Sequence, residues 1–386
     1  MKKVAIISSH PIQYYAPWFR YLSKRTDICL KVFYLWDFGI TEKVDSEFKQ
    51  SIKWDIPLLE GYDCEFVPNV SKKPGTSRFW GLQNPTLLTR VKAFSPSAVL
   101  LMNYNYASLY NFIWRWPKQL APLIFRGDSH RLFPASGVKE YLRRQWISTI
   151  YKRFSKFLYV GDANFQYFTY HNVSPEKLFF SPHSVDNQRF FSQRDSAYLQ
   201  AEEWKAQLGI PNTHKVILFA GKFSCKKRPL DLLNAFINAQ LPEVSLLFAG
   251  AGPLEAELKN LATPYHNVYF APFQNQTQMP RTYAAGDVFV LPSYGSGETW
   301  GLAINEAMCL GRSIIASDHV GCAHNLVENE GNGLVFPAGD VAALSEALQK
   351  AFQDPEKLQK WGDRSQKIIQ HYSYSQATAG LIEALA

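Results

Sequence analysis

Cysteine is scarce and badly placed for cross-linking: Cys29, Cys64, Cys225, Cys309 and Cys322 are five in 386 residues, an odd number, with no C-x-x-C pair. Both a disulfide framework and a zinc knuckle are disfavoured, and the thiols are read as reduced. Long hydrophobic runs are missing too, since no window approaches the roughly 18 uninterrupted apolar residues of a membrane span. At the N-terminus, Val4 to Ile7 is the only apolar run between Lys2-Lys3 and Ser8-Ser9-His10. It is too short for a secretory core and has no small-residue cleavage site, so a cytosolic protein is expected. No internal repeat, low-complexity tract or Walker loop occurs. Without an Asp-x-Asp pair there is nothing to hold a divalent cation between carboxylate and diphosphate, and no bound metal is expected. Gly250-Ala251-Gly252 opens like a dinucleotide fingerprint but has Glu255 at the third glycine position. No Asp or Glu follows within 20 residues of Glu257 to hold a ribose, which argues against NAD.

What is present is an ordinary globular balance, 46% hydrophobic and 19% charged, in a chain longer than one hydrophobic core usually serves. Two domains are the default. Charge is unevenly split: residues 1–190 hold 26 Lys and Arg against 14 Asp and Glu, a net +12, and the remainder holds 15 against 19, a net −4. The first half is therefore expected to meet something anionic, a lipid surface or an acceptor, unless it is a solvated basic face. Aromatics are dense from Tyr104 to Trp116, interleaved with Arg115 and Lys118, and Arg143, Arg144, Lys152, Arg153 and Lys156 follow. This combination points to peripheral contact with an anionic leaflet, at the inner face of the membrane. No nucleic-acid module is recognisable, and no nucleic-acid partner is expected.

Short runs rich in Val, Ile, Leu and Phe alternate with stretches long enough for helices. In the first half they are Val4–Ile7, Leu30–Leu35, Ala98–Met102, Leu123–Phe125 and Phe157–Val160. The second half repeats the theme at Lys215–Ala220, Val244–Ala249, Val268–Phe270, Val288–Leu291, Ser313–Ala316 and Leu334–Phe336. Buried parallel strands covered on both faces by helices produce this pattern. Two Rossmann-like α/β domains follow, over residues 1–190 and 191–365, with a linker within Asp186–Asn212, where mixed charge ends in Gly209-Ile210-Pro211. Ligands of such sheets bind at the carboxyl ends of the strands, which predicts a cleft between the domains.

The informative stretch is FVLPSYGSGETWGLAINEAMCLGRSIIASDHVGCAHNL, residues 289–326. A strand ends at Pro292, a loop with Gly295 and Gly297 delivers Glu298, and a helix over about Trp300–Leu310 is stopped by Gly311. On a helical wheel Trp300, Ile304, Ala307 and Met308 form the core stripe, while Glu306 points well away from it on the same side as Leu302. From spacing alone, both glutamates also fit as solvent-side charges, with Glu298 favourably near the helix dipole.

With its flanks, this segment resembles the signature of retaining glycosyltransferases of the GT-B fold, family 4. The residues that carry the resemblance are Pro292-Ser293, Glu298-Thr299-Trp300-Gly301-Leu302, Glu306-Ala-Met and Gly311. It continues through Ser317-Asp318, Gly321, Asn332-Gly333 and Gly339-Asp340. The resemblance implies a GT-B architecture, two Rossmann-like α/β domains facing a central cleft, with residues 366–386 crossing back to the first domain. It implies a UDP-, GDP- or ADP-sugar donor as co-substrate, no other cofactor, and a glycan, lipid-linked or small-molecule acceptor. Glu306 would accept hydrogen bonds from the donor ribose and Glu298 would contact the sugar. The amides of Trp300, Gly301 and Leu302 would face the diphosphate, with Gly221 and Thr299 part of the same donor site. Gly221-Lys222 to Lys227-Arg228-Pro229 matches the family's cationic element, with Lys222 where an Arg is usual. Two fixed cations suit a leaving diphosphate, although a lysine gives up the planar fork of an arginine. Phe273 stands where the family packs on the nucleobase, and also fits as a core residue.

The first half resembles the family less. Ser9-His10-Pro11-Ile12-Gln13 replaces the usual Gly-Gly loop, leaving His10 and Gln13 as candidate cleft residues or ordinary loop polars. Where the family often has a histidine near the sugar, this chain has Arg126-Gly127-Asp128-Ser129-His130. Asp128 and His130 are candidates for sugar or acceptor contact, or members of a surface turn. A nucleotide-sugar epimerase of the same architecture, or a catalytically silent nucleotide-sugar-binding partner, fits the same residues.

Overall fold

The near-continuous apolar runs become the buried strands of two parallel sheets. The computed structural model describes residues 1–38, 43–45, 50–52, 54–133 and 136–386. It divides into two compact units, one of residues 1–43, 51–182 and 374–386, the other of residues 44–50 and 183–373.

Strands β1 (Lys2–Ser8) and β2 (Ile28–Tyr34) lie in the first unit; the short pair β3 (Lys43–Asp45) and β4 (Gln50–Ile52) follows in the chain, where residues 44–50 are assigned to the second unit. Then come β5 (Asp63–Phe66), β6 (Ala98–Leu101), β7 (Leu123–Arg126), β8 (Lys156–Tyr159) and β9 (Leu178–Phe180). Seven strands form one parallel sheet in the order β5-β2-β1-β6-β7-β8-β9. Val4, Ile6, Val32, Leu100 and Leu158 face one side, and Ala5, Ile7, Phe33, Leu101 and Phe125 the other, each side carrying its own hydrophobic cluster. This two-sided burial is why the strands read as unbroken apolar runs.

The second unit holds β10 (Lys215–Lys222), β11 (Val244–Ala251), β12 (Val268–Ala271), β13 (Val288–Leu291), β14 (Ser313–Ser317) and β15 (Gly333–Phe336). They form a parallel sheet in the order β12-β11-β10-β13-β14-β15. Strand order reverses between β1 and β6 in the first sheet and between β10 and β13 in the second. At such a switch point the loops leaving adjacent strands diverge to opposite faces and open a crevice.

Several boundaries differ from expectation. The units divide at Pro182/His183, before residue 190. The stretch expected as linker forms two helices, Asn187–Ser192 and Arg194–Leu208, inside the second unit. Ala197, Ala201 and Trp204 are buried there, and the guanidinium of Arg281 lies 4.5 Å from the Trp204 ring centre. The mixed charge that read as linker is that helix's outer side. At the other end, the helix Pro355–Ile369 stays in the second unit, and the chain rejoins the first at Tyr374 rather than 366. The last helix, Tyr374–Leu385, completes the cluster around Val4 and Trp18, burying Ala377, Leu381 and Ala384. Trp18 Nε1 donates to Thr378 Oγ1 at 3.1 Å and Ser181 Oγ to the Ala377 carbonyl at 2.9 Å. Gly380 permits this docking, because a Cβ there would lie 1.9 Å from the Phe180 carbonyl oxygen. All five cysteines are free.

Candidate functional site

Two loops leave the switch point of the second sheet. One follows β10: Ser224 accepts backbone hydrogen bonds from Lys227 and Arg228, which tightens the turn and presents Lys226 and Lys227 before the helix Pro229–Ala239 begins. The other, after β13, runs from Ser293 to Gly301. Their backbones are joined where Tyr294 N–H donates to the Lys226 carbonyl at 2.8 Å. Gly297 leaves room for the Lys226 side chain, whose Cε would lie 2.8 Å from a Cβ at that position. His319 anchors the second loop from β14's side, its Nδ1 accepting from Gly295 N–H at 3.1 Å.

This arrangement brings Glu298 and Lys227 together. Glu298 is only 8% exposed, its Oε2 is ion-paired with Lys227 Nζ, and Ser293 Oγ donates to the same oxygen at 3.2 Å. Burial alone would raise its pKa, but the ammonium groups of Lys227 and Lys226 and both hydrogen bonds outweigh that and hold it below the usual carboxylate range. Lys222 and Gly221 close β10, in register with Ala251 and Gly250. Gly250 is obligatory, since a Cβ there would fall 1.9 Å from the Gly221 carbonyl oxygen.

Downstream, the backbone at Thr299-Trp300 is clamped. Cys322 N–H donates to the Trp300 carbonyl at 2.8 Å, and Gly321 packs against the Thr299 carbonyl. The Trp300 indole is buried and donates to Asn305 Oδ1 at 2.9 Å, while Asn305 Nδ2 donates to the His183 carbonyl. Gly301, at φ +103°, caps the helix Leu302–Cys309, with a built Cβ 2.8 Å from Val320 Cγ1. This helix starts two residues later than its periodicity predicts. Among the described residues no side chain caps it and its first turn has no acid. Its N-terminal amides therefore present positive dipole without a built-in counter-charge.

Glu306 sits in the middle of that helix, 2% exposed. Tyr283 Oη donates to its Oε2 at 2.8 Å, and its Oε1 has no hydrogen-bond partner among the described residues. Burial pushes its pKa up to about 7, against the smaller opposing effects of Tyr283 and of the Arg189 charge. Both glutamates are thus buried, and the solvent-side reading fails for each. No motif position or spacing assigns a role to Tyr283, Arg189 or Lys226, and Ser293 enters only as part of the segment that carries the resemblance. Phe273 is half-buried just beyond β12.

The candidates of the first half belong to the other unit. His10 follows β1 at that sheet's switch point. Its Nδ1 lies 3.0 Å from Ser9 Oγ, its ring is edge-on to Trp36 and Phe38, and burial lowers its pKa to about 4. Gln13 is half-buried in the following turn. Asp128 and His130 lie half-buried beyond β7, where Leu132 N–H donates to His130 Nδ1 at 3.3 Å. Their neighbour Arg126 is engaged in structure. It is buried, donates to the Ser181 and Pro182 carbonyls at 3.1 and 3.0 Å, and stacks over Tyr15 and Trp18.

Two parallel-sheet α/β domains of this topology are the GT-B fold. Over its full length the chain is similar to Alr3699/HepE of Anabaena, whose crystal structure is in complex with UDP and glucose. The TM-score is 0.72 at 19% identity, covering 100% of this chain and 99% of that one. Residues 200–368 match the family described as Glycosyl transferases group 1. The sequence is 29% identical over 197 residues to sulfoquinovosyl transferase SQD2 of Arabidopsis thaliana, 50% of this chain and 37% of that protein. It is 26% identical over 170 residues to phosphatidyl-myo-inositol mannosyltransferase of Mycobacterium leprae, 43% of this chain and 45% of that protein. The chain thus spans less than half the length of these curated relatives.

Proposed function

We propose that the protein is a retaining, metal-independent glycosyltransferase that moves a sugar from a nucleoside-diphosphate sugar to a hydroxyl of a glycan, lipid-linked or small-molecule acceptor. The observation that carries this reading is the joined pair of loops at the β10/β13 switch point, where a buried carboxylate and a lysine face each other beside an uncapped helix N-terminus. Lys222, Lys227 and the amides of Trp300, Gly301 and Leu302 stabilise the diphosphate as it leaves, work that fixed cations and dipoles do without a metal. Glu298 holds the sugar and steadies Lys227, whose remaining ammonium protons stay available for phosphate oxygens. Glu306 accepts from the ribose hydroxyls through the oxygen that has no hydrogen-bond partner among the described residues. The bond from the anomeric carbon to the phosphate oxygen breaks as the bond to the acceptor oxygen forms on the same face. The acceptor's proton passes to the leaving phosphate. The structural neighbour in complex with UDP and glucose and the similarity to a phosphatidyl-myo-inositol mannosyltransferase support this class of donor and acceptor.

The test is turnover with UDP-, GDP- and ADP-sugars against a panel of sugar, lipid-linked and small-molecule acceptors, with and without EDTA. Product formation with the donor's anomeric configuration, unchanged by EDTA, is expected. An inverted product refutes retention, and loss of activity restored by magnesium refutes the metal-free mechanism. Turnover of donor without acceptor indicates an epimerase.

A further inference from the structure

The basic charge of the chain is concentrated in one place. Residues 70–153 hold 14 Lys and Arg against two acids, Asp128 and Glu140, so the net +12 of the first 190 residues is matched by this segment alone. Glu140 is buried and bonded to Arg143. The same segment carries the three most exposed tryptophans of the described residues, Trp80 at 66%, Trp146 at 53% and Trp114 at 39%. They lie on one face. Phe79 meets Trp80 and Tyr110, and Tyr110 meets Trp114 and stacks on Trp146 at 5.8 Å and 18°. Between Val70, Phe79, Trp80, Tyr110 and Trp114 opens an apolar groove of about 580 Å³.

The helix Val138–Tyr151 extends this face. Its core side is Ile147, Ile150 and Tyr151, yet Val138, Tyr141, Leu142 and Trp146 are exposed. At about 100° per residue these four form a stripe opposite the buried one. The helix is therefore apolar on two sides with only one of them covered. Lys139 and Arg143 flank the open stripe, Arg115 is exposed beside Trp114, and Lys72, Lys73 and Arg78 precede Phe79-Trp80. An apolar, tryptophan-rich centre rimmed by cations matches the boundary zone of a bilayer, where indole rings sit at headgroup depth and basic side chains meet lipid phosphates. Nucleic acid would account for the cations but not for an outward stripe of Val, Tyr, Leu and Trp. Among the described residues no helix is long and apolar enough to cross a membrane.

We propose that this face docks the protein on an anionic phospholipid bilayer, with Trp80 and Trp146 in the interfacial zone and the groove open to hydrocarbon. Docking is read without turnover, so it stands or falls separately from glycosyl transfer. The experiment is flotation of the full chain with phosphatidylcholine vesicles, with and without phosphatidylglycerol. It is paired with quenching of tryptophan emission by brominated acyl chains. Expected are binding that requires phosphatidylglycerol and weakens in high salt, and quenching in the wild type. A loss of about tenfold or more is expected in Trp80→Ser/Trp146→Ser, and about fivefold for each charge removed by Lys139→Gln or Arg115→Gln. Unquenched wild-type emission, full binding by a folded double-serine variant, or binding only to duplex DNA would each overturn the proposal. So would a dimer in solution that the double-serine variant makes monomeric while vesicles capture neither form.

Discussion

If Glu306 holds the donor ribose as proposed, its buried carboxylate makes donor binding a proton-coupled event whose size follows from its surroundings. With a pKa of about 7, and with ribose hydroxyls donating much more strongly to the carboxylate than to the neutral acid, the favoured ionised fraction is about one tenth at pH 6 and about nine tenths at pH 8. The dissociation constant for the donor or its nucleoside diphosphate should therefore tighten about tenfold between those values. Calorimetric titration in two buffers of different ionisation enthalpy should show close to one proton released at pH 6 and few at pH 8. Glu306→Gln should bind more weakly and lose the pH dependence. Stability should move the other way. A carboxyl whose folded pKa is raised from 4.5 to about 7 adds stability that is fully present below pH 4.5 and lost as pH rises through 7. The loss corresponds to about 3 kcal/mol, an upper bound that relaxation reduces. The donor-free Gln variant should accordingly be more stable than the wild type at pH 8 while binding donor worse. A purely structural glutamate would give no such opposition. A pH-independent affinity, or a Gln variant that keeps the tenfold change, refutes the reasoning.

Two other perturbations test the remaining framework. Lys227→Met leaves the buried Glu298 charge without its partner and should lower stability by up to about 3 kcal/mol and turnover by about 10²–10³-fold. Adding Glu298→Gln should restore most of the stability, read by denaturant titration, and none of the turnover. Recovered turnover would remove Lys227 from the chemistry. Gly380→Ala places a methyl 1.9 Å from the Phe180 carbonyl oxygen and should cost about 1–3 kcal/mol by displacing the last helix. Unchanged thermal unfolding would show that this docking contributes nothing.

The apolar runs located eleven strands because both faces of each sheet are buried, leaving no alternation to confuse the reading. The two they missed in the main sheets are edges. β5 carries Asp63 and Glu65 on a partly exposed rim, and β9 is three residues long. The linker was misplaced for a related reason, since charge on the outer side of Arg194–Leu208 hides a buried side of only Ala197, Ala201 and Trp204. The helical wheel located Ile304, Ala307 and Met308 in the core, but a wheel reports one covering. Here the opposite side is covered as well, by the helices Asn187–Ser192 and Met279–Ala284, and Glu306 lies under them against Tyr283. No periodicity connects residues 23 apart, so only the resemblance singled out Glu306, and nothing singled out its partner.

The opposite fates of the two glutamates are the most specific statement the site makes. They leave one loop–helix segment eight positions apart, and both are buried. Glu298 is kept ionised by Lys227 and Lys226, whereas Glu306 is driven toward the neutral acid with one oxygen unpartnered among the described residues. Environments that push two carboxyls apart divide their tasks. A Glu298 held below the usual carboxylate range can, on the proposed reading, fix the cation that faces a leaving diphosphate. Under the proposed function, a Glu306 poised near neutrality would gain its charge when a ligand supplies hydroxyl donors, so the site would recover the cost of burying that charge only when a ribose arrives. On the proposed reading, the buried pair Glu306–Tyr283 is thus less a brace for the fold than a sensor of the donor's diol.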